Sequence, residues 1–182
     1  YHPHTLSIGK DLNGILLYGI NSSGKSTLMK AIGLNIILAQ IGYFVTATKF
    51  EYFPYTNLFT RICGNDNIFR GMSSFMVEMV ELMAILKRNN NRTLVLGDEI
   101  CRGTEEKSAN IIVAYMLETL SQSNTSFITA THLHMIADLP SVVNLEKVKP
   151  MHLKVEYDDI NQRLVYSREL KEGQGEKYYG VQ

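Results

Sequence analysis

The sequence predicts an α/β fold in which helices flank a largely parallel central sheet and an antiparallel hairpin forms one edge. Two features of the 182-residue chain lead to this fold class. Short apolar runs, typical of buried strands, alternate with longer segments that carry apolar residues at helical spacing. Near the carboxyl end the pattern changes to apolar–polar alternation on both sides of a turn, which predicts the hairpin.

The parallel core follows from the elements in chain order. Buried strands are predicted at 15–18, 93–96 and 126–130, and helices at 26–40, 74–88 and 109–120. The second helix ends in Lys87 and Arg88, and cations interact favourably with the carboxyl end of a helix dipole. Three strands separated by helices are what a parallel sheet requires.

Two further segments complete the secondary-structure prediction. Alternating residues at 153–157 and 164–170 flank a turn at 158–162 and predict the edge hairpin. The aromatic residues Phe50, Tyr52, Phe53 and Tyr55 indicate a possible strand. We interpret these rings as packing residues of the core or of an interface, and not as residues that stack on bases.

The composition limits the classes of function. Lys+Arg and Asp+Glu are balanced at 18 each, which gives a net charge of zero. A domain that grips nucleic acid by itself usually has a basic excess, so contacts with DNA are expected in other parts of a longer polypeptide. No apolar run approaches the ~18 residues that span a bilayer, and no membrane partner is expected.

The chain is expected to be a single domain, 1–182, cut from a larger intracellular protein. It begins at Tyr1 without a methionine or a signal-peptide pattern. Cys63 and Cys101 form neither a CxxC pair nor a zinc spacing, which fits a reducing compartment and two packed side chains. Cytoplasm, nucleus, organelle and virus all stay open as the source.

A glycine-containing motif between the first strand and the first helix is typical of a phosphate-binding loop. The motif G-x-x-x-x-G-K-[ST] consists of Gly19, Ile20, Asn21, Ser22, Ser23, Gly24, Lys25 and Ser26, and Thr27 follows it. Glycines let the backbone curl so that N–H groups point at phosphate oxygens, and the helix adds its positive end. Lys25 would reach the β- and γ-phosphates, and Ser26 would bind Mg²⁺. The expected fold is therefore a P-loop NTPase that binds ATP or ADP.

A pair of carboxylates follows the second buried strand. Carboxylates at the exit of a buried strand are costly without a cation or metal, so Asp98 is expected to hold Mg²⁺ through its water shell. Glu99 is expected to orient and polarise the attacking water. The alternative is an ordinary acidic turn. After a phosphate loop, the pair indicates a nucleotide hydrolase.

Ordered motifs across nearly the whole chain resemble the ATPase domain of the MutS family, a class of ABC-like ATPases. They are Leu38–Gly42, Gly71–Met79, Asp98–Thr104, Ala130–His132 and Lys177–Gly180, in addition to the phosphate loop. The resemblance implies Mg-dependent ATP hydrolysis coupled to DNA mismatch recognition and repair. It also implies a second MutS-type subunit and DNA contacts through domains outside this chain.

The resemblance assigns roles that spacing alone does not. It places the Asn21 amide near the γ-phosphate, and Ser73 against the γ-phosphate of the neighbouring subunit. His132 resembles a switch histidine that senses that phosphate, and Tyr1, with His2 beside it, matches an aromatic residue that packs on adenine. Simpler interpretations stay open: a helix cap for Ser73 or Ser74, a structural role for His132 and a frayed end for Tyr1.

The chain departs from the family pattern at several positions. Cys101 stands where the family usually has glycine, and Ser22 and Ser23 change the interior of the loop. Residues 105–109 replace a segment whose aspartate helps to couple the two subunits. A non-hydrolysing, dimerising ATP-binding switch is therefore one alternative function, and another ABC-like ATPase of DNA maintenance is a second.

Overall fold

The computed structural model describes residues 2–9, 11–62, 73–101 and 105–175. Within them the chain forms one six-stranded sheet. Its strands are Gly14–Tyr18 (β1), Asn57–Arg61 (β2), Thr93–Asp98 (β3), Ser126–Ala130 (β4), Val148–Asp158 (β5) and Arg163–Glu172 (β6). The strand order is β2-β3-β4-β1-β5-β6, and all neighbours are parallel except β5 and β6.

Helices cover both faces of this sheet. They are Lys25–Gln40 (α1), Ser74–Arg88 (α2), Glu106–Gln122 (α3) and Pro140–Val143 (α4), with a short 3₁₀ helix at His134–Asp138. The buried side chains of α1 pack with one apolar cluster, and those of α2, α3 and α4 pack with the other. No helix in the described part of the chain is long and apolar enough to cross a membrane.

The central strand β1 shows why the apolar runs become parallel strands. All five of its residues are buried. Leu16 and Tyr18 contact the cluster under α2 and α3, whereas Ile15 and Leu17 contact the cluster under α1. A strand with helices on both sides must be apolar on both faces, and a continuous apolar run meets that need.

The predicted α/β class is confirmed, with a mostly parallel sheet and an antiparallel β5–β6 hairpin. The possible strand at 50–55 was a wrong prediction, since that segment has no regular structure and the strand begins at Asn57. Phe50 and Tyr55 nevertheless pack at the edge of the cluster under α1. Phe53 is largely exposed, and Arg92 lies over its ring.

The third helix begins three residues earlier than the sequence predicts. Glu105 occupies its N-cap, and its carboxylate accepts hydrogen bonds from the backbone N–H groups of Lys107 (3.4 Å) and Ser108 (3.1 Å) and from the Ser108 hydroxyl (2.8 Å). These bonds satisfy donors that a helix start leaves unpaired. The segment that departs from the family pattern thus forms a well-capped helix start.

Candidate functional site

Three strand ends meet at one edge of the sheet. In the strand register, Ala130 at the end of β4 lies between Leu17 of β1 and Asp98 of β3. Because these strands are parallel, the segments that follow them emerge on the same side. In open α/β sheets this carboxyl edge is where ligands bind.

The segment after β1, residues 19–24, forms what we call the glycine loop. Gly19 has a φ of 150° and Gly24 a φ of 107°, values that favour glycine. A Cβ atom on Gly19 would lie 2.7 Å from the Ser23 hydroxyl oxygen, so the loop has no room for a side chain there. Gly24 is also the N-cap of α1. The loop thus curls tightly and delivers the chain to the amino end of a helix.

Lys25 secures the curl of the glycine loop from inside. Its side chain is buried, and Nζ donates hydrogen bonds to the carbonyl oxygens of Gly19 (2.6 Å) and Ile20 (3.1 Å). Burial lowers the pKa of the Lys25 ammonium, and the carboxylates of Glu99 and Asp98 oppose that shift. A desolvated cation therefore lies within the electrostatic influence of two carboxylates.

The first turn of α1 is connected to the end of β3. The Ser26 hydroxyl donates a hydrogen bond to Oδ2 of Asp98, which is half-buried. A hydroxyl and a carboxylate oxygen are hard ligands of the kind that Mg²⁺ prefers. No group of three or more His, Cys, Asp and Glu residues is placed to hold a metal in the described ranges. The two oxygen ligands, the Ser26 hydroxyl and the Asp98 carboxylate, suit Mg²⁺, which takes few protein ligands and completes its shell with water and phosphate.

Glu99 lies in a turn whose backbone is unusual. Its φ is 47° and that of Cys101 is 64°, both in the left-handed region. The N–H of Glu99 donates to the Ala130 carbonyl (3.0 Å), and the N–H of Cys101 donates to Oε1 of Glu78 (2.8 Å). A positive φ at Cys101 gives a physical reason for glycine in the family pattern at this position.

Ser73 lies on the other side of the sheet from α1. It is exposed, and its hydroxyl caps α2 by accepting a hydrogen bond from the Met76 N–H (3.2 Å). The capping role that the sequence left open is therefore confirmed. Contact with a neighbouring subunit's phosphate stays a prediction.

His132 follows β4 at the same edge as the glycine loop. It is exposed, and the preceding Thr131 is buried with its hydroxyl accepting a hydrogen bond from the Leu133 N–H (3.0 Å). Thr131 also donates its own N–H to the Leu17 carbonyl (3.1 Å). The position of His132 is thus fixed by a buried neighbour, while its role stays a prediction.

The remaining predicted residues divide into two groups. Within the glycine loop Asn21 and Ser22 are exposed and Ser23 is buried, while Thr27 on α1 and His2 in the irregular amino-terminal segment are both exposed. Tyr1, Cys63, residues 71–72, residues 102–104 and residues 177–180 lie outside the described residues.

Two charged residues near the site were not singled out from the sequence. Glu78 on α2 is buried and accepts a hydrogen bond from Nε of Arg61 at the end of β2 (3.0 Å). The helical spacing of the sequence could have identified Glu78 as a buried residue. Glu78 shares a face with Leu82 and Ile85, both buried, and a carboxylate on an apolar helix face requires a partner.

Comparison with known proteins identifies the family. The family model described as MutS domain V matches residues 15–182. The chain therefore belongs to the MutS family, as its ordered motifs predicted.

Curated relatives come from viral, mitochondrial and bacterial sources. A putative DNA mismatch repair protein MutS homologue of Acanthamoeba polyphaga mimivirus is 49% identical over 177 residues, covering 96% of this chain and 16% of the relative. A mitochondrial DNA mismatch repair protein MutS homologue of Sarcophyton glaucum is 43% identical, covering 98% and 18%. The DNA mismatch repair protein MutS of Finegoldia magna is 35% identical, covering 96% and 20%. The chain thus spans a fifth or less of the length of these relatives.

Proposed function

We propose that this chain is the ATPase domain of a MutS-type protein, with a P-loop NTPase fold that binds Mg·ATP in the glycine loop and hydrolyses it. One observation carries the proposal: the buried ammonium of Lys25 is fixed inside a tightly curled loop that leads into a helix. A curled backbone, a helix amino end and a desolvated cation are together the components of a phosphate site.

Each part of the loop has a task in this proposal. The N–H groups at the start of α1 bind phosphate oxygens, and Lys25 supplies the positive charge. Asn21, exposed on the loop, lies toward the γ-phosphate, and Thr27 extends the site along the helix. Ser26 and Asp98 hold Mg²⁺, which would neutralise charge on the phosphates when bound.

Glu99 is the proposed catalytic base or water-orienting residue. Its neighbours support this, because the cation of Lys25 lies close enough to interact with its carboxylate. His132, on the adjacent strand end, senses the γ-phosphate. Tyr1 and His2 flank the adenine in the proposal, and this part depends on the resemblance alone.

A second subunit completes the proposed site. Ser73 caps a helix on the opposite face of the sheet from α1, and a helix amino end with a hydroxyl can address a phosphate that another chain's loop surrounds. Two-fold symmetry makes the contact reciprocal.

A mixed dimer of one Ser73→Ala chain and one Glu99→Gln chain tests this contact. The nucleotide bound by the Glu99→Gln chain meets both substitutions. The nucleotide bound by the Ser73→Ala chain meets its own intact Glu99 and the intact Ser73 of the other chain. Mixing two inactive variants should therefore restore activity, and demonstrated subunit exchange without recovery would contradict a contact in trans.

The biological role is proposed from the relatives, whose names describe DNA mismatch repair. The nucleotide state of this domain would control DNA contacts made by parts of the protein outside this chain. Its balanced charge of 18 basic and 18 acidic residues agrees with DNA being held elsewhere.

The test separates a hydrolase from a binding switch. Mg·ATP binding and steady-state phosphate release are measured on the dimeric protein and on its Glu99→Gln variant in the same dimeric form. The proposal expects binding by both and release by the unchanged protein alone. Binding without release by the unchanged protein would favour the non-hydrolysing switch, and no binding would contradict the proposal.

A further inference from the structure

The buried carboxylate of Glu78 connects three parts of the fold. It lies on α2 with its side chain almost fully removed from solvent (6% exposed). Its Oε1 accepts hydrogen bonds from Nε of Arg61 on β2 (3.0 Å) and from the backbone N–H of Cys101 after β3 (2.8 Å). A buried carboxylate is retained only with such partners, so these contacts define its position closely.

Arg61 supplies the compensating charge. It ends β2 opposite Gly97 in the strand register, and its side chain is mostly buried (18% exposed). It also pairs with Glu81, one turn further along α2 and half-exposed. Glu81 thus shares the arginine with Glu78, but the amide of Cys101 is bonded to Glu78 alone among the described residues. This difference makes Glu81 a matched control.

The Cys101 amide anchors one end of the turn that carries Glu99. Glu99 and Cys101 both have left-handed backbone angles, and such conformations persist only where the surroundings hold them. One anchor is the Glu99 N–H bond to the Ala130 carbonyl, and the other is the Cys101 N–H bond to Glu78. The backbone of the turn that carries Glu99 is therefore held in part by a side chain of α2.

We propose that Glu78 is a positioning residue that holds Glu99 in its hydrolytic orientation and connects it mechanically to the Ser73 end of α2. The inference rests on the proposed hydrolysis. Ser73 is the N-cap of the helix that carries Glu78, so the proposed contact with a partner's nucleotide and the anchor of the Glu99 turn belong to the same helix. Glu78 acts through the Cys101 amide and touches no substrate.

Two variants separate the hydrogen-bond acceptor from the charge. Glu78→Gln removes the charge but keeps an acceptor oxygen at the same distance from the backbone of α2. Glu78→Asp keeps the charge, but its side chain is one methylene shorter, so its oxygen lies further from the Cys101 amide. Misplacement by about 1 Å can cost ~100-fold in rate, so we expect Glu78→Asp to lower kcat by roughly 10- to 100-fold. Mg·ATP affinity should stay unchanged, and Glu78→Gln should keep kcat near that of the unchanged protein. Glu81→Asp, which alters the same arginine pair, should leave kcat unchanged.

Equal kcat values in Glu78→Asp and Glu78→Gln would overturn the inference, since the reach of the acceptor would then not matter. A second measurement does not depend on turnover. Hydrogen exchange of the Cys101 amide should become faster in Glu78→Asp and stay unchanged in Glu78→Gln and Glu81→Asp. Unchanged exchange in Glu78→Asp would also overturn the inference. Absence of phosphate release by the unchanged protein, with the expected exchange pattern, would count against the proposed hydrolysis and leave the anchor itself supported.

Discussion

Replacing Lys25 by methionine tests the phosphate site with little change in packing. Methionine has a similar length and no charge, so it can fill the buried space that the lysine stem occupies. The two carbonyl oxygens that Lys25 contacts, those of Gly19 and Ile20, lose a donor but lie in a partly exposed loop where water can replace it. The fold is therefore expected to survive.

The expected loss of affinity follows from the hydrogen bonds of the ammonium. Lys25 has three N–H donors, and two of them bond to the carbonyls of Gly19 and Ile20. One donor is then left to bond to a phosphate oxygen. A hydrogen bond to a charged group contributes about 1.5–3 kcal/mol, which corresponds to roughly 10- to 150-fold weaker binding of Mg·ATP.

Isothermal titration calorimetry of Mg·ATP with both proteins measures this change. Lys30→Met, which alters an exposed lysine of the same helix, is the control and should keep the affinity of the unchanged protein. Thermal unfolding without nucleotide shows that each variant folds. An affinity of folded Lys25→Met within twofold of the unchanged protein would refute the assignment of phosphate to this loop.

Three further changes test the metal site, the core and the buried thiol. Asp98→Asn should raise the Mg²⁺ concentration needed for ADP binding while leaving metal-free ADP affinity unchanged, and fluorescence titrations at several Mg²⁺ concentrations measure both. Gly14→Ala should lower the free energy of unfolding by about 1–3 kcal/mol, seen in denaturant melts, because the new Cβ would lie 2.1 Å from Cζ of Phe127. Burial, with Glu78 nearby, raises the pKa of the Cys101 thiol from 9.0 to about 11. The folded protein then binds more protons than the unfolded chain between these values, so stability should fall as pH rises from 9 to 11, and less so in Cys101→Ala.

The parallel core was predictable because its signals are local. β1 is a fully buried apolar run, β4 is fully buried around Phe127 and Ile128, and α2 has the predicted bounds, beginning after a serine cap and ending in two cations. β2 gave no such signal. It lies at the sheet edge, and its residues Asn57, Thr60 and Arg61 are polar, so its pairing with β3 depends on contacts distant in sequence.

The parts of the candidate site that are continuous in sequence were also predictable. The glycine loop and the Asp98–Glu99 pair are each continuous in sequence, and parallel strand ends bring them together. The bond from Ser26 to Asp98 connects them across 72 residues. The contact of Glu78 with the Cys101 amide could not be read from spacing, because it requires α2 to pack beside the end of β3.

A crystal structure of the Glu99→Gln variant with Mg·ATP tests the central claim most directly. The account predicts the β- and γ-phosphates inside the glycine loop, with Lys25 Nζ on a phosphate oxygen and Mg²⁺ next to Ser26 and Asp98. Nucleotide bound elsewhere, or phosphates that do not contact Lys25, would contradict it.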